Sequence, residues 1–569
     1  MSILDWVVLL GTLFFIVGYG VWKTRGKQDM EGYLRGGNSM KWWSIGLSVM
    51  ATQASAITFL STPGQAYDDG LRFVQFYFGL PLAMVVICVT AIPIYYRLKV
   101  YTAYEYLESR FDLKTRQLAA FLFLIQRGLA AGITIYAPAI ILSTILGWSL
   151  NWTIIFTGVL VTIYTVAGGS KAVSVTQTQQ MAVMMGGMIV AGIVVVMLLP
   201  ESVSFGNAID IAGHMGRLNA VDFSFNLNDR YNFWSGITGG FFLALSYFGT
   251  DQSQVARYLT GRSVAESRLG LLFNGLLKVP MQFLILFVGV MVFVFYQFVQ
   301  PPVFFNQAVR DQVAATAFAP EMQRLEEQHT AIFNQKLEQV NQLVAANKTG
   351  NETEIAAAKT QVNQAADALK ANRTQAIELI KKAAPEAEAK DTDYVFISFI
   401  MKYLPHGIIG LLLAVIFCAA MSSTASELNA LASTTVVDVY RRSINKNASG
   451  QHYVWASKTL TVAWGMIAIL FATLASQLEN LIQAVNILGS LFYGTILGIF
   501  LVAFYLKRVR SNAVFVAALI AEATVITLFY TSDIGFLWFN VIGCALVAIL
   551  GLAFQEILPN KTEAAVSEN

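Results

Sequence analysis

Long apolar runs recur about thirteen times along this chain of 569 residues, and that repetition constrains its fold more than any other feature. A run of about 20 apolar residues crosses a hydrocarbon core of ~30 Å as an α-helix. The spans fall near 4–22, 42–64, 73–96, 118–146, 152–168, 178–199, 233–256, 269–298, 393–437, 456–477, 480–506, 512–531 and 534–555. Lipid supplies no hydrogen-bond partners, so each span must satisfy its backbone internally, which these long runs do as helices. With 56% hydrophobic and 13% charged residues and a mean hydropathy of +0.57, a soluble globular protein is excluded. The class is an all-α integral membrane protein of about 13 transmembrane helices in a lipid bilayer. The first run lacks a basic flank and a small-residue cleavage site, and reads as a retained helix rather than a signal peptide. The run from 393 is too long for one crossing and reads as starting with a short amphipathic helix on the outer surface.

Charge placement sets the orientation. Lys23, Arg25, Lys27, Arg35 and Lys41 fall in one loop, and Arg97, Lys99, Arg110, Lys114 and Arg116 in the next on the same side. Arg257 and Arg262, Arg441 and Arg442, then Lys507, Arg508 and Arg510 continue the pattern, whereas Arg72 stands nearly alone opposite. The positive-inside rule puts the N-terminus outside and the C-terminus in the cytoplasm of a plasma (cell inner) membrane protein, and an odd helix number agrees. A formal net charge of +3 calls for no nucleic acid partner. Cys88, Cys418 and Cys544 all lie in apolar runs, and the four histidines show no ligand spacing. Nothing in the sequence sets an oligomeric state.

Residues 300–391 break the membrane pattern and read as an extracytoplasmic helical hairpin, with helices near 320–346 and 352–384 joined at Lys348-Thr-Gly-Asn351. Leu325, Ile332, Leu337, Val340 and Val344 form a stripe that can face Ile355, Val362, Leu369 and Ile380. The hairpin reads either as a solvated cap or as a docking arm. The chain divides into an N-terminal helix and loop (1–41), a first repeat (42–199), an outer loop (200–232) and a second repeat (233–299, resuming at 392–506 after the insertion). Two C-terminal helices and a short tail (507–569) follow.

Polar residues inside the runs mark the chemistry. Ser48-Val-Met-Ala-Thr-Gln-Ala-Ser-Ala-Ile-Thr58 puts five polar side chains in the second run, and Thr250-Asp-Gln-Ser-Gln254 follows a glycine-rich stretch in the seventh. Backbone freed by a helix break is tolerated where it lines a cavity. These two runs lie five apart, and breaks at equivalent places in two halves point to an alternating-access transporter with a midplane site. A third polar stretch, Phe417 to Asn429, carries four hydroxyls, a carboxylate and an amide. It reads either as close helix packing through small residues or as a cation site built from hydroxyl and carbonyl oxygens. Arg127, Lys278, Glu427 and Glu522 are ionisable within apolar runs, where each charge costs ~2.5–3.5 kcal/mol and needs compensation. Arg127 reads as a partner of a substrate carboxylate or of Glu427, and Lys278 as facing a cavity or snorkelling. No nucleophile, metal cluster or acid/base pair at one depth argues for an enzyme. A channel or a receptor is the competing class.

The motifs Ser55-Ala-Ile-Thr-Phe-Leu-Ser-Thr-Pro-Gly64, Tyr106-Leu-x-x-Arg-Phe111, Ile135-Tyr-Ala-Pro-Ala139, Tyr164-Thr-Val-Ala-Gly-Gly-x-Lys-Ala-Val173, Thr250-Asp-Gln-x-Gln-Val-x-Arg-Tyr258 and Ser422-Ser-x-x-x-x-Leu-Asn429 occur in that order. Together they resemble the sodium:solute symporter family, which includes sodium-coupled sugar, proline, sialic acid, iodide and multivitamin carriers. The resemblance spans about 5–510, apart from the insertion. It implies a LeuT-like core of five plus five inverted-repeat helices, one helix before it and two after, and sodium-coupled symport of a small polar organic solute. The family's common sodium site falls on the carbonyls of Ala51, Ala54 and Ala419 and the hydroxyls of Ser422 and Ser423. A second sodium site of some members uses an Asp that is Gln177 here and a hydroxyl that is Ala425, although Ser426 remains, so one Na+ is expected. Sugar-carrying relatives place a tyrosine, a lysine and a glutamine where Tyr247, Lys278 and Gln483 stand, but their acidic ligand is Tyr77 here. Gln53, Ser55, Thr58 and Phe73 resemble the sialic acid carriers, whose arginine corresponds to Arg127. Closure is expected over Tyr247 and Phe248. A sugar acid or other carboxylate thus competes with a monosaccharide or polyol, and a vitamin, amino acid or inorganic anion is the alternative.

Overall fold

Ten helices among the described residues are long and apolar enough to cross a bilayer. The computed structural model describes residues 1–23, 32, 40–385, 390–474 and 481–558, without the side chains of 21, 23 and 167–172. The loop residues Arg25, Lys27 and Arg35, the Lys23 and Lys171 side chains and the tail beyond 558 lie outside that description.

Helix α1 (Ile3–Lys23) leads to the two halves of an interrupted crossing, α2 (Trp42–Gln53) and α3 (Ala56–Asp69). A 3-10 segment, Gly70–Tyr77, joins α3 to the helices Leu80–Val89 and Ala91–Leu98. Then come α4 (Leu113–Leu146) and α5 (Leu150–Met197). The second interrupted crossing consists of a π-helical turn, Ser235–Gly239, α6 (Gly240–Gly249) and α7 (Gln252–Tyr258), and α8 (Val264–Phe298) follows. Outside the bundle pattern lie α9 (Ala319–Thr349) and α10 (Glu352–Ala383). The short helix Tyr394–Tyr403 precedes α11 (Ile408–Thr434), and α12 (Gly450–Leu474), α13 (Leu481–Tyr505), α14 (Ser511–Thr531) and α15 (Leu537–Ile557) complete the chain.

Three of the thirteen apolar runs do not stand as separate spans among the ten. The run at 42–64 is not separate because α3 is continuous with the next run as Ala56–Leu98, the halves of the second interrupted crossing are each too short, and Leu150–Val166 is the first part of α5, whose second part is counted. The 48 residues of α5 would span ~72 Å if straight, more than twice a hydrocarbon core. The hydroxyls of Tyr164 and Thr176 nevertheless meet at 2.7 Å, although a straight helix separates those positions by ~18 Å along its axis. The chain therefore bends back between them.

Helix α11 is the most enclosed of the ten; it packs against α5, α4, α1, α12 and α3, while α2 packs against α8 and α5. Glycines allow the closest approaches. A Cβ on Gly236 would lie 2.1 Å from the Gln75 carbonyl, and one on Gly240 2.5 Å from that of Phe76, so the second interrupted crossing rests directly on the 3-10 segment.

The pair α9 and α10 is antiparallel. Gly350 turns the chain at φ +72°, and the Asn351 side chain accepts from the amides of Thr353 and Glu354 to cap α10. Val340, Leu343, Val344 and Val362 bury the tip side, and Leu325, Ala376, Leu379 and Ile380 the root side. At the root, Asp391 pairs with Arg373 and accepts from the Phe305 amide. Thr392 then donates to Asp68 at 2.8 Å, tying the root to the region where α3 ends.

Candidate functional site

The first helix break lies at Ala54 (φ −79°, ψ 78°) and Ser55 (φ −77°, ψ 172°), where the backbone turns extended before α3 begins. The last turn of a helix leaves carbonyls without intrahelical donors, and one of them is satisfied from α11: Ser422 Oγ donates to Ala51 O at 2.8 Å. On α11, Ala419, Ser422 and Ser423 share one face at helical spacing. Ser423 Oγ donates to Ala419 O, also at 2.8 Å. Ala51, Ala54, Ala419, Ser422 and Ser423 are all buried. Four of the five oxygens chosen from the sequence thus form two contacts, one joining α11 to α2 and one within α11, and the fifth belongs to the residue at which α2 stops. Each hydroxyl donates to a carbonyl, and if the hydroxyls rotate, neutral oxygens of this kind suit a partly dehydrated monovalent cation.

Gln177 of α5 ties this region together. Its amide nitrogen donates to Thr52 Oγ1 at 3.0 Å, Ser422 Oγ at 3.1 Å and Ser426 Oγ at 2.8 Å. Its oxygen accepts from Ser48, and Thr52 and Ser426 hydroxyls meet at 3.2 Å. The amide donors occupy the centre of a ring of hydroxyls drawn from α2 and α11.

A cavity of about 70 Å³ adjoins the break. Gln53, Ser55, Thr58, Tyr77, Arg127 and Tyr247 line it, so six of the ten substrate residues chosen from the sequence come together. The other four lie around it. Phe73 stacks on Phe76 at 5.6 Å and meets Tyr77 edge-on, while Phe248 backs Tyr247 at 4.9 Å. Lys278 is fully buried, with Nζ 5.8 Å from the Tyr77 ring centre and no hydrogen-bond partner among the described residues. Gln483 joins a chain of polar groups at the hairpin end of the bundle.

Sequence reasoning passed over Phe76, Gln126, Thr134, Asn486 and Tyr493 as lining residues, and Glu427 as one of them. It also passed over Asp251, which decides the electrostatics. Arg127 donates through Nε to Asp251 Oδ2 at 3.1 Å, through Nη2 to Asp251 and Tyr493, and through Nη1 to Glu427 Oε1 at 3.1 Å. Tyr493 OH donates to the same Asp251 oxygen at 2.8 Å, and the other Asp251 oxygen caps α7 by accepting from the Ser253 amide. The signal was present: Asp251 is a carboxylate in the second break, where a buried charge needs a cation.

Polar bridges close both ends. Near the hairpin, Arg230 Nη1 donates to Gln483 Oε1 at 2.6 Å, Gln483 donates to Gln65 at 3.1 Å, and Gln65 donates to Asp69, joining α13 to α3. At the opposite end Tyr95 OH donates to Gly249 O at 2.7 Å, and Gln252 of α7 bonds the backbone of Tyr101 and Ala103. There Arg116 bridges Glu108 and Asp438, and Arg442 also reaches Glu108. The hydrogen bond from Arg442, with that from Arg116, holds the Glu108 carboxyl below its usual range.

The family model for the sodium:solute symporter family matches residues 33–322 and 373–521, leaving out a segment that lies within α9 and α10. The sodium/iodide cotransporter of Homo sapiens is 34% identical over 275 residues, covering 48% of this chain and 42% of that protein. The chain therefore aligns with less than half the length of that relative. Sodium-coupled monocarboxylate transporter 1 of Mus musculus is 26% identical over 499 residues, 87% of this chain and 68% of that protein. The sodium/sialic acid symporter NanT of Aliivibrio fischeri is 24% identical over 565 residues, 98% and 94% of the two chains. Among solved structures, a sodium-coupled sialic acid symporter in its substrate-bound outward-open state superposes with a TM-score of 0.75 at 22% identity over 98% of each chain. A closed nucleobase-cation-symport-1 transporter, MHP1, gives 0.51 at 12%, covering 93% of this chain and 96% of the other. The fold is that of these LeuT-like, five-plus-five inverted-repeat transporters.

Proposed function

The chain belongs to the sodium:solute symporter family, and from that premise we propose that it couples inward sodium flow to uptake of a small polar organic solute by alternating access. The observation that carries this reading is the 2.8 Å contact of Ser422 Oγ with Ala51 O, which joins the serine-bearing face of α11 to a carbonyl of the broken helix. Sodium binds among Ala51, Ala54, Ala419, Ser422 and Ser423, the two hydroxyls turning their protons away so that hydroxyl and carbonyl oxygens face the ion. It thereby pins α2 and α3 against α11 and prepares the adjoining cavity. The solute then contacts Gln53, Ser55, Thr58, Tyr77, Arg127 and Tyr247. Phe73, Phe248, Lys278 and Gln483 support these from behind or above.

The two polar bridges act as gates. The chain Arg230, Gln483, Gln65, Asp69 closes the outer path, and the contacts of Tyr95, Gln252, Glu108 and Asp438 close the inner one. Opening one while the other holds exposes the cavity to one side at a time. One charge moving inward is worth ~2.3 kcal/mol per 100 mV, which supports roughly fiftyfold accumulation at ~1.4 kcal/mol per decade. The reading includes thirteen crossings, the N-terminus outside, the C-terminus in the cytoplasm of a plasma (inner) membrane, and α9 with α10 as an extracytoplasmic cap on the transporter. It includes no chemical step. The names of the relatives range over iodide, monocarboxylates and sialic acid, so a carboxylate and a neutral sugar or polyol both enter the screen.

Proteoliposome uptake tests the proposal. A sodium gradient with an inside-negative potential is expected to drive accumulation of one member of a sugar, sugar-acid, monocarboxylate and polyol panel above its outside concentration. Uptake indifferent to sodium, or a current that does not saturate with solute, would reject symport.

A further inference from the structure

We infer that Glu427 is a specificity-determining residue that selects a solute bearing hydroxyl or amino donors and excludes carboxylates from the cavity. This rests on the sodium-coupled reading and gives the solute its chemical class.

Arg127 is the one cation among the described residues lining the cavity, and it is already committed. A guanidinium has five N–H donors. One goes from Nε and one from Nη2 to Asp251, another from Nη2 to Tyr493, and one from Nη1 to Glu427. A fork-to-fork grip on an incoming carboxylate needs two parallel donors, and one is left. The charges point the same way. Two carboxyl groups, Asp251 and Glu427, already hold the single guanidinium, so an incoming carboxylate would find no free cation to offset its charge in a site sheltered from water.

The unfilled hydrogen-bonding capacity has the opposite character. Glu427 is 6% exposed, lines the cavity, and among the described residues its Oε2 accepts no hydrogen bond within 3.5 Å. The hydroxyl of Thr134 lines the same wall, and its proton goes to the Ala130 carbonyl at 3.1 Å. Gln53 Oε1 and Gln126 Oε1 line the cavity in the same unfilled condition, as does one donor, Asn486 Nδ2. A buried acceptor left without a donor is costly, and more so when charged. A solute that donates to Glu427 and the two amide oxygens, and accepts from Asn486, fills all four. A hydroxyl does both; a carboxylate can only accept.

Matched solutes test this on the full-length protein in saturating sodium: glycerate, glycerol and 3-amino-1,2-propanediol, then gluconate, glucitol and glucamine. Within each set the carbon skeleton is fixed and one terminal group changes from acid to alcohol to amine. The expected result is that an alcohol or amine raises the thermal midpoint and binds at least tenfold tighter than the acid of its set. Glu427→Gln is expected to lose about ten- to a hundredfold for that solute, the worth of one charge-assisted hydrogen bond, and to narrow the gap to the acid. An acid binding as tightly as its partners, no member of either set binding, or an unchanged ratio in E427Q overturns the inference. If E427Q does not elute as a single species, the wild-type ratios and Gln126→Leu, expected to weaken the same solute severalfold, decide alone. Failure of the symport reading shows differently, as wild-type protein that sodium alone does not stabilise.

Discussion

Replacing Ser423 with alanine separates a cation ligand from a packing residue. The Ser423 hydroxyl makes its 2.8 Å hydrogen bond within its own helix, back to Ala419 O. Losing that bond removes about 0.5–1.5 kcal/mol, and the better helix propensity of alanine returns part of it. In sodium-free buffer the thermal midpoint is therefore expected to move by less than about 2 °C. With sodium the balance differs, because an oxygen facing a charge contributes about 1.5–3 kcal/mol, so the sodium concentration for half-maximal stabilisation should rise about ten- to a hundredfold. The assay is a sodium titration of the thermal midpoint at constant ionic strength, with potassium as the replacing ion. Ser422→Ala provides the contrast: it also removes the bridge to Ala51 and an acceptor of Gln177, and should destabilise the sodium-free protein as well. An S423A protein with wild-type sodium dependence would refute the assignment.

Gln177→Asp replaces the amide that donates to Thr52, Ser422 and Ser426 with a carboxylate among hydroxyls; a second sodium is expected, read as a Hill coefficient rising from one towards two. Lys336 on α9 is driven down to about 8 by burial, with Arg217 adding to the effect. A lysine whose folded value lies below its unfolded value of 10.5 penalises the folded state below both, and the penalty fades as pH rises through the window between them. Lys336→Met should thus stabilise by up to about 3 kcal/mol at pH 7, with the gain shrinking from pH 8 to pH 10.5 in thermal scans. Arg230→Ala breaks the 2.6 Å bond to Gln483; a cysteine placed at Asn486 should then react several times faster with a membrane-impermeant thiol reagent added from outside.

The helices were legible because apolar runs of membrane length admit one solution for the backbone. The breaks were legible because Ser55 and Asp251 put polar groups where lipid cannot stand. Alanine and serine at helical spacing on α11 admitted two readings, close helix packing or a cation face, and it was the contact of Ser422 with Ala51 that joined that face to the first break. The partners of Arg127 were half legible: Glu427 was visible as a buried charge, whereas Asp251 hid in a motif that already had a reading. Tyr493 carried no signal, because a tyrosine in an apolar helix is unremarkable until its hydroxyl meets a carboxylate 242 positions away. Lys278 shows the limit of residue type, since an ammonium stacked near Tyr77 and one facing a cavity have the same sequence pattern. The bend in α5 depends on the Tyr164 and Thr176 contact, which joins positions that no helical period relates.

Equilibrium binding of radioactive sodium to the purified full-length protein tests the central claim most directly. One saturable site per chain, competed poorly by potassium and weakened in S423A, is the expected result. Absence of saturable binding, or equal competition by potassium, would contradict a cation site where the broken crossing meets α11.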